Sequence, residues 1–217
     1  MIGLMNGGLS GATIGHSDIG GYTSVIEKKW GITFLEYTRS KETLQRWIEM
    51  NTFSDPIQRS HPSNIPEAQH QIYDDNDTVL FFKKFVEIHM KLADYKLDLM
   101  RDAENNGTPF TRPLMLHFPD DHRARHESSQ FMLGENILVA PMFEQGKTAR
   151  SVYLPGPAEW KHLWSGETFS VSEKGHWIEK FDAIIGEPAV FTRDTESVNM
   201  SEILKDYYGS TEGLFVQ

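Results

Sequence analysis

The stretch GATIGHSDIGG, residues 11–21, is the part of the sequence from which the fold prediction starts. Small and apolar residues lead into polar ones and then into a Gly-Gly pair, a pattern typical of a short buried strand that ends in a turn. Polar side chains at the end of such a strand face a site. We therefore expect this stretch to border a functional site.

Two helical patterns follow it. Leu44, Trp47 and Ile48 have i, i+3, i+4 spacing, which predicts a helix from a cap at Ser40 to about Asn51. A longer pattern predicts one helix of roughly seven turns that ends near residues 106–107. Its apolar positions repeat at three- and four-residue steps: Phe81, Phe85, Ile88, Leu92, Tyr95 and Leu99. The acidic run before it, residues 74–77, is expected to compensate the helix dipole.

The texture of the sequence changes in its second half. Residues 109–118 predict another buried strand, and from about Phe131 short apolar runs alternate with turns that contain Gly and Pro. These runs are residues 137–140, 152–154 and 189–191. Short strands at this spacing are typical of a small β-sandwich. One more short helix is predicted in the polar tail, around residues 201–208.

Composition limits the classes of partner. A formal net charge of -10 argues against a nucleic-acid binder or a basic membrane-surface helix, because both need clustered Lys and Arg. With no cysteine, the chain has neither disulfides nor a thiolate zinc site. No metal or cofactor site is indicated, and a small-molecule or sugar partner fits this composition better. The sequence has no secretory-signal pattern or membrane-length apolar window, so we expect a soluble protein of unknown compartment.

Six short motifs occur in a fixed order along the chain. They are HSDIGGY at 16–22, RW at 46–47, FS at 53–54, RSH at 59–61, RPL at 112–114 and LGENILVAP at 133–141. In this order they resemble glycoside hydrolase family 31, above all its sulfoquinovosidase branch. The similarity covers nearly all of residues 1–193.

The resemblance implies an α/β plus all-β fold, the C-terminal part of a (β/α)8 TIM barrel followed by a small β-sandwich. Residues 1–119 would supply about strands seven and eight of the catalytic barrel, 120–193 the proximal C-terminal sandwich, and 194–217 a polar tail. Asp18 would end strand seven and Arg112 would lie near strand eight. Two strands cannot close a barrel, so the chain by itself should expose a large apolar surface.

The resemblance also bears on catalysis. In this family the nucleophile and the acid/base are aspartates at the ends of strands four and six, and both would lie before Met1. The retaining mechanism needs two carboxyl groups about 5–5.5 Å apart. We therefore assign no catalytic residue to this chain, and expect it to be inactive alone. Asp18 is expected to give structural support and polarity on the substrate side.

The substrate-binding residues that the resemblance implies are Tyr22, His61 and Asp18. His61 matches a histidine that donates a hydrogen bond to sugar hydroxyls. Tyr22 stands where many α-glucosidases of the family have Phe, and its hydroxyl can reach a sulfonate directly or through water. His16 and Arg59 are expected to orient Asp18 and its loop.

Two segments depart from the sulfoquinovosidase pattern. Residues 62–64, Pro-Ser-Asn, replace the usual Glu-Gly-Asn, and residues 27–33 look like a short insertion. Both lie where they would reshape the leaving-group side of a pocket. The leading hypothesis is a retaining α-glycoside hydrolase of sulfoquinovosides. The alternatives are an α-glucosidase or α-xylosidase of neutral sugars, and a non-catalytic sugar-binding fragment.

Overall fold

The computed structural model describes residues 1–209, which form helices on one face of a six-stranded sheet and a two-stranded sheet on its other face. The helices are α1 Ile2–Leu9, α2 Lys41–Ser54, α3 Asn76–Lys91, α4 Ala93–Asn106 and α5 Met200–Ile203. The strands are β1 Val25–Lys29, β2 Ile32–Tyr37, β3 Thr111–Arg112, β4 Phe131–Leu133, β5 Ile137–Ala140, β6 Ala149–Leu154, β7 Ala158–His162, β8 Thr168–Val171, β9 His176–Asp182 and β10 Ala189–Thr192. Single 3-10 turns lie at Pro66–Ala68 and Leu114–Leu116.

Helices α2 and α3 begin where the sequence predicts them. The Ser40 side chain caps α2 by accepting the amide of Thr43, and the helix continues to Ser54 rather than Asn51. Asp75 caps α3 by accepting the amide of Thr78 at 2.7 Å. These caps satisfy backbone donors that the first turn of a helix leaves free. The prediction that the acidic run serves the start of this helix is confirmed.

The predicted single long helix is wrong, because α3 and α4 are separate helices that meet at Leu92. The backbone of Leu92 has φ -87° and ψ 3°, outside the α-helical range, although its amide still donates to the carbonyl of Ile88 at 3.1 Å. The buried side chain of Leu92 still continues the apolar face. The second helix ends as predicted, with Gly107 in the left-handed conformation at φ 71°.

The predicted strand over residues 11–21 is also wrong. This segment is extended but pairs at few points: Thr13 accepts the amide of Phe110 at 2.8 Å, and Ile19 forms an isolated parallel bridge with Ser60. A strand needs a continuous ladder along its length. The predicted turn is present, since Gly20 and Gly21 both have φ 79°. Helix α1 precedes the segment and was not predicted.

The six-stranded sheet is the centre of the molecule, with strand order β3-β4-β5-β10-β7-β8. Successive residues of β5 and β10 point to opposite faces and are all buried. Ile137, Val139 and Val190 pack against the helices, whereas Leu138 and Phe191 pack toward β6 and β9. The sheet therefore separates two apolar cores, and the predicted sandwich is present.

The strand predicted over residues 109–118 is reduced to the two residues of β3. Thr111 pairs with Leu133 and Arg112 with Met132, both in antiparallel register with β4. Pro113 has no amide to continue the ladder, and the 3-10 turn follows at once. Arg112 forms an ion pair with Asp102 of α4 at 2.7 Å.

Residues 25–37 form an exposed β-hairpin at the place of the predicted insertion. Trp30 and Gly31 occupy its two-residue turn with φ 53° and 78°, the signs that a type I′ turn requires. Every residue of β2 is exposed, including Phe34 at 80%. The hairpin therefore presents several apolar side chains to solvent.

The predicted tail helix corresponds to α5, and the tail beyond residue 209 lies outside the described residues. Among residues 1–209, the longest helices are too short and too polar to cross a membrane.

Candidate sugar-binding site

Two chain segments, residues 16–22 and 59–64, lie side by side and bring the predicted site residues together. The amide of Ile19 donates to the carbonyl of Arg59 at 2.8 Å, and Ile19 and Ser60 form the parallel bridge. This short pairing places Asp18 next to Arg59. It also brings Tyr22 close to His61.

Asp18 lies between two basic side chains. Its Oδ1 is 3.5 Å from His16 Nε2 and 3.6 Å from Arg59 Nε. None of these contacts has hydrogen-bond geometry, and within residues 1–209 the buried Oδ1 of Asp18 accepts no hydrogen bond. The carboxylate is therefore held by charge in a loose arrangement, with acceptor capacity unused.

Tyr22 and His61 form the exposed part of the site. Their ring centroids are 6.3 Å apart with an interplanar angle of 74°, an edge-to-face contact. Tyr22 is 64% exposed, and His61 is half-buried. A phenol and an imidazole side by side offer a ligand hydrogen-bond donors and acceptors at adjacent points.

Asp55 is a buried residue of this region that sequence reasoning missed. Its Oδ2 accepts from the Ser17 amide at 2.7 Å and from Asn51 Nδ2 at 2.6 Å, while Oδ1 accepts from Ser54 Oγ at 2.7 Å. His16 Nδ1 is 3.2 Å from the same Oδ2. Burial raises the pKa of Asp55 above its ordinary value, although these hydrogen bonds oppose the shift. The buried Asp55 carboxylate therefore holds residues 16–17, next to Asp18, in place.

Arg39 is a second residue that the sequence did not reveal. Its guanidinium donates to the carbonyls of Ile19 and His61, both at 3.1 Å, and to Gln71 Oε1 at 2.9 Å. One side chain thus ties both segments of the site together. Burial lowers the pKa of Arg39, and the charge of Asp74 opposes this shift.

Gly20 is required by the position of Arg39. A Cβ atom at Gly20 would lie 2.2 Å from Arg39 Cδ, and its φ of 79° is one that other residues rarely adopt. The Gly-Gly pair in the sequence predicted this turn. Nothing in the sequence predicted that Arg39 packs against it.

The departure at residues 62–64 is a turn that packs against the start of the hairpin. Ser63 has φ 77°, which is unusual for a residue with a side chain, and Asn64 hydrogen-bonds to the backbone of Ser24. The usual Gly at position 63 would adopt this conformation without strain. The departure from the usual Glu-Gly-Asn therefore marked this turn in the sequence, but it did not predict the contact with Ser24.

Two family models match the chain. The TIM-barrel domain of glycosyl hydrolases family 31 matches residues 1–99, and the C-terminal domain of family 31 matches residues 107–196. The chain belongs to glycoside hydrolase family 31. The predicted fold class, part of a (β/α)8 barrel followed by a sandwich, is confirmed by these matches and by the solved family 31 structures.

Similar family 31 proteins include two bacterial sulfoquinovosidases. The one from Agrobacterium fabrum is 36% identical over 90% of this chain, and the one from Escherichia coli is 35% identical over 91%. A solved family 31 sulfoquinovosidase from E. rectale, in complex with an aza-sugar inhibitor, superposes with a TM-score of 0.81 at 34% identity over 94% of this chain. The chain spans 27% of the length of both curated relatives and 28% of the solved one.

Proposed function

We propose that this protein acts as a retaining α-glycoside hydrolase on sulfoquinovosides, with this chain forming one side of the sugar pocket. The observation that carries the proposal is the edge-to-face contact of Tyr22 and His61 at 6.3 Å. It sets a tyrosine ring beside an imidazole in a chain that is 36% identical to a sulfoquinovosidase. The two carboxylates of the chemistry would come from residues before Met1.

In this proposal His61 donates to a sugar hydroxyl, and the Tyr22 hydroxyl contacts the sulfonate directly or through a water. Asp18 supplies substrate-side polarity, since its side chain stays 21% exposed. His16 and Arg59 orient Asp18 from 3.5 and 3.6 Å. Asp55 is unsuited to nucleophilic attack because it is buried and its oxygens already accept several hydrogen bonds.

The first experiment is to sequence the transcript upstream of Met1 and to assay the complete protein. Two aspartates at strand ends are expected there, together with hydrolysis of an aryl α-sulfoquinovoside. Hydrolysis of an aryl α-glucoside should be slower. A message that begins at Met1, or a protein that cleaves only the glucoside, contradicts the proposal.

The role of Tyr22 is tested by Tyr22→Phe in the complete protein. Loss of one hydrogen bond to a charged group is worth about 1.5–3 kcal/mol, so kcat/KM for the sulfoquinovoside should fall roughly 10-fold or more. Activity on the glucoside should change little. Tyr37→Phe, at an exposed tyrosine of the hairpin, is the matched control. Equal losses of kcat/KM on both substrates would show that Tyr22 does not contact the sulfonate.

Neutral sugars are the second candidate, favoured by the departure at residues 62–64. An α-xylosidase from Arabidopsis thaliana is also 28% identical over 79% of the chain. A third possibility, a non-catalytic sugar-binding fragment, predicts that the 217-residue chain binds sulfoquinovose or glucose in calorimetry without cleaving a glycoside.

A further inference from the structure

The turn at residues 62–64 determines which nitrogen of His61 carries the proton. The backbone amide of Ser63 donates a hydrogen bond to His61 Nδ1 at 2.9 Å. An amide N–H cannot act as an acceptor, so Nδ1 must present its lone pair. In a neutral imidazole the single proton then lies on Nε2.

Ser24 and Asn64 hold the turn that carries the Ser63 amide, and we call Ser24, Ser63 and Asn64 the clasp. Asn64 Oδ1 accepts the Ser24 amide at 2.7 Å, and its Nδ2 donates to the Ser24 carbonyl at 3.1 Å. Ser63 Oγ lies 2.7 Å from Ser24 Oγ and 2.9 Å from Asn64 Oδ1. Gln69 adds a hydrogen bond to Ser24 Oγ. These contacts offset the strain of a serine at φ 77°.

The clasp also connects the two exposed residues of the site. Ser24 follows Tyr22 by two positions, while Ser63 follows His61 by two positions. The Arg39 guanidinium holds the His61 carbonyl from the other side. Within residues 1–209, the Nε2 of His61 makes no hydrogen bond, so its proton is free for a ligand.

We infer that the clasp is a positioning device that keeps His61 as the Nε2–H tautomer, a fixed donor to a ligand oxygen. Ser63 acts through its amide, and Asn64 and Ser24 act by holding that amide. The identity of the ligand, a sugar hydroxyl, rests on the proposed function. The tautomer itself does not depend on it.

The test is ¹⁵N NMR of the histidine rings in the full 217-residue chain, at a pH where the rings are neutral. The His61 signals are assigned by difference from His61→Gln. The expected spectrum shows Nδ1 at the chemical shift of an unprotonated ring nitrogen and Nε2 at that of a protonated one. Shifts averaged between the two tautomers, or the opposite tautomer, would overturn the inference.

Two variants separate the clasp from general packing. Ser63→Gly keeps the amide and suits φ 77°, so it should retain the tautomer. Asn64→Ala loses both contacts with Ser24 and should give averaged shifts, while backbone spectra confirm that the rest of the chain is folded. An Asn64→Ala spectrum identical to that of the parent would show that the clasp does not set the tautomer. If Asn64→Ala fails to fold, Asn64→Asp provides the comparison: it keeps the acceptor for the Ser24 amide, replaces the donor to the Ser24 carbonyl by an acceptor, and should also give averaged shifts.

No sugar is present in this measurement. Its failure would therefore leave the hydrolase proposal standing, and failure of the hydrolase proposal would leave the tautomer result standing.

Discussion

Glu49 of helix α2 accepts the backbone amide of Gly186 at 2.6 Å, so a buried carboxylate joins the helical layer to the sandwich. Arg46 donates to the same carboxylate at 3.0 Å and to the carbonyl of Lys147 at 3.0 Å. Lys84 donates to the Gly186 carbonyl at 2.8 Å. Burial raises the pKa of Glu49 to about 7, although the charge of Arg46 opposes the shift.

This contact predicts a pH-dependent stability. The raised pKa means that the folded state binds the Glu49 proton more tightly than the unfolded state does. The contribution of Glu49 to the free energy of unfolding is therefore fully present below pH 4.5 and is lost as the pH rises through about 7. A shift of this size corresponds to roughly 3 kcal/mol. Glu49→Gln should remove most of this decrease in stability with rising pH.

Urea unfolding at about pH 5 and about pH 8 measures this difference. Glu179→Gln, at an exposed glutamate of β9, is the control and should keep the slope of the parent. If Glu49→Gln and the parent lose stability equally between the two pH values, the buried carboxylate is not the cause.

Lys96 is predicted to support the end of α2 beneath the site. It is buried, and its Nζ donates to the carbonyls of Thr52 and Asp55 at 2.7 and 2.9 Å. Lys96→Met removes the ammonium donor from both carbonyls, which should cost about 1–3 kcal/mol in the free energy of unfolding. Lys91→Met removes an exposed ion pair with Asp206 and should cost less than about 1 kcal/mol. Similar losses in the two variants would contradict this reading.

Lys96 also predicts an alkaline effect of opposite sign to that of Glu49. Burial lowers the pKa of Lys96 to about 7, and the charge of Asp55 opposes the shift. The folded state then binds fewer protons than the unfolded state between about 7 and 10.5, so stability rises with pH in this window. Lys96→Met should reduce that rise in the same urea titrations.

Asp55→Asn is predicted to loosen the segment that carries Asp18. The carboxylate accepts at both oxygens, from the Ser17 amide and Asn51 Nδ2 at Oδ2 and from Ser54 Oγ at Oδ1, whereas asparagine has one acceptor oxygen and would turn its NH2 toward one of these donors. We expect a loss of about 2–4 kcal/mol and faster amide exchange over residues 16–19. Asp98→Asn, at an exposed aspartate of α4, should leave exchange at these residues unchanged. Protection equal to the parent in Asp55→Asn would show that Asp55 is not the support.

Gly134→Ala is predicted to cause a steric clash, and Gly146→Ala is the control without one. Both have positive φ, at 57° and 75°, but a Cβ at Gly134 would lie 2.1 Å from Tyr95 Oη, whereas Gly146 faces open space. Tyr95 is buried and donates to the Leu133 carbonyl at 2.9 Å, so it cannot move away freely. Gly134→Ala should therefore destabilise by about 2 kcal/mol more than Gly146→Ala, which carries the backbone strain alone. Thermal unfolding of both variants measures the difference, and equal shifts in melting temperature would contradict it.

Local signals in the sequence predicted the helix ends and the sheet-rich second half. Ser40, the acidic run at residues 74–77 and Gly107 were found because capping depends on residues within four positions of a terminus. The break at Leu92 was missed because the apolar repeat continues through it. A change in one ψ angle leaves the side chain on the same face.

Contacts between distant residues were beyond prediction from the residues alone. Arg39 donates to Ile19 and His70, 20 and 31 positions away, Asp55 accepts from Ser17, 38 positions away, and neither residue belongs to a spaced motif. The hairpin was missed because β2 is exposed on both faces and has no alternating pattern. Its turn places Trp30 at φ 53°, where sequence rules expect Asn or Gly.

The pairing of β3 with β4 has a practical consequence for anyone who wishes to produce half of this molecule. A cleavage or expression boundary between residues 113 and 130 would strip β4 of its neighbour and leave its outer edge open to pair with other chains. It would also sever Glu49 and Lys84 from the loop at Gly186. The helical and sandwich parts should therefore be expressed together or not at all.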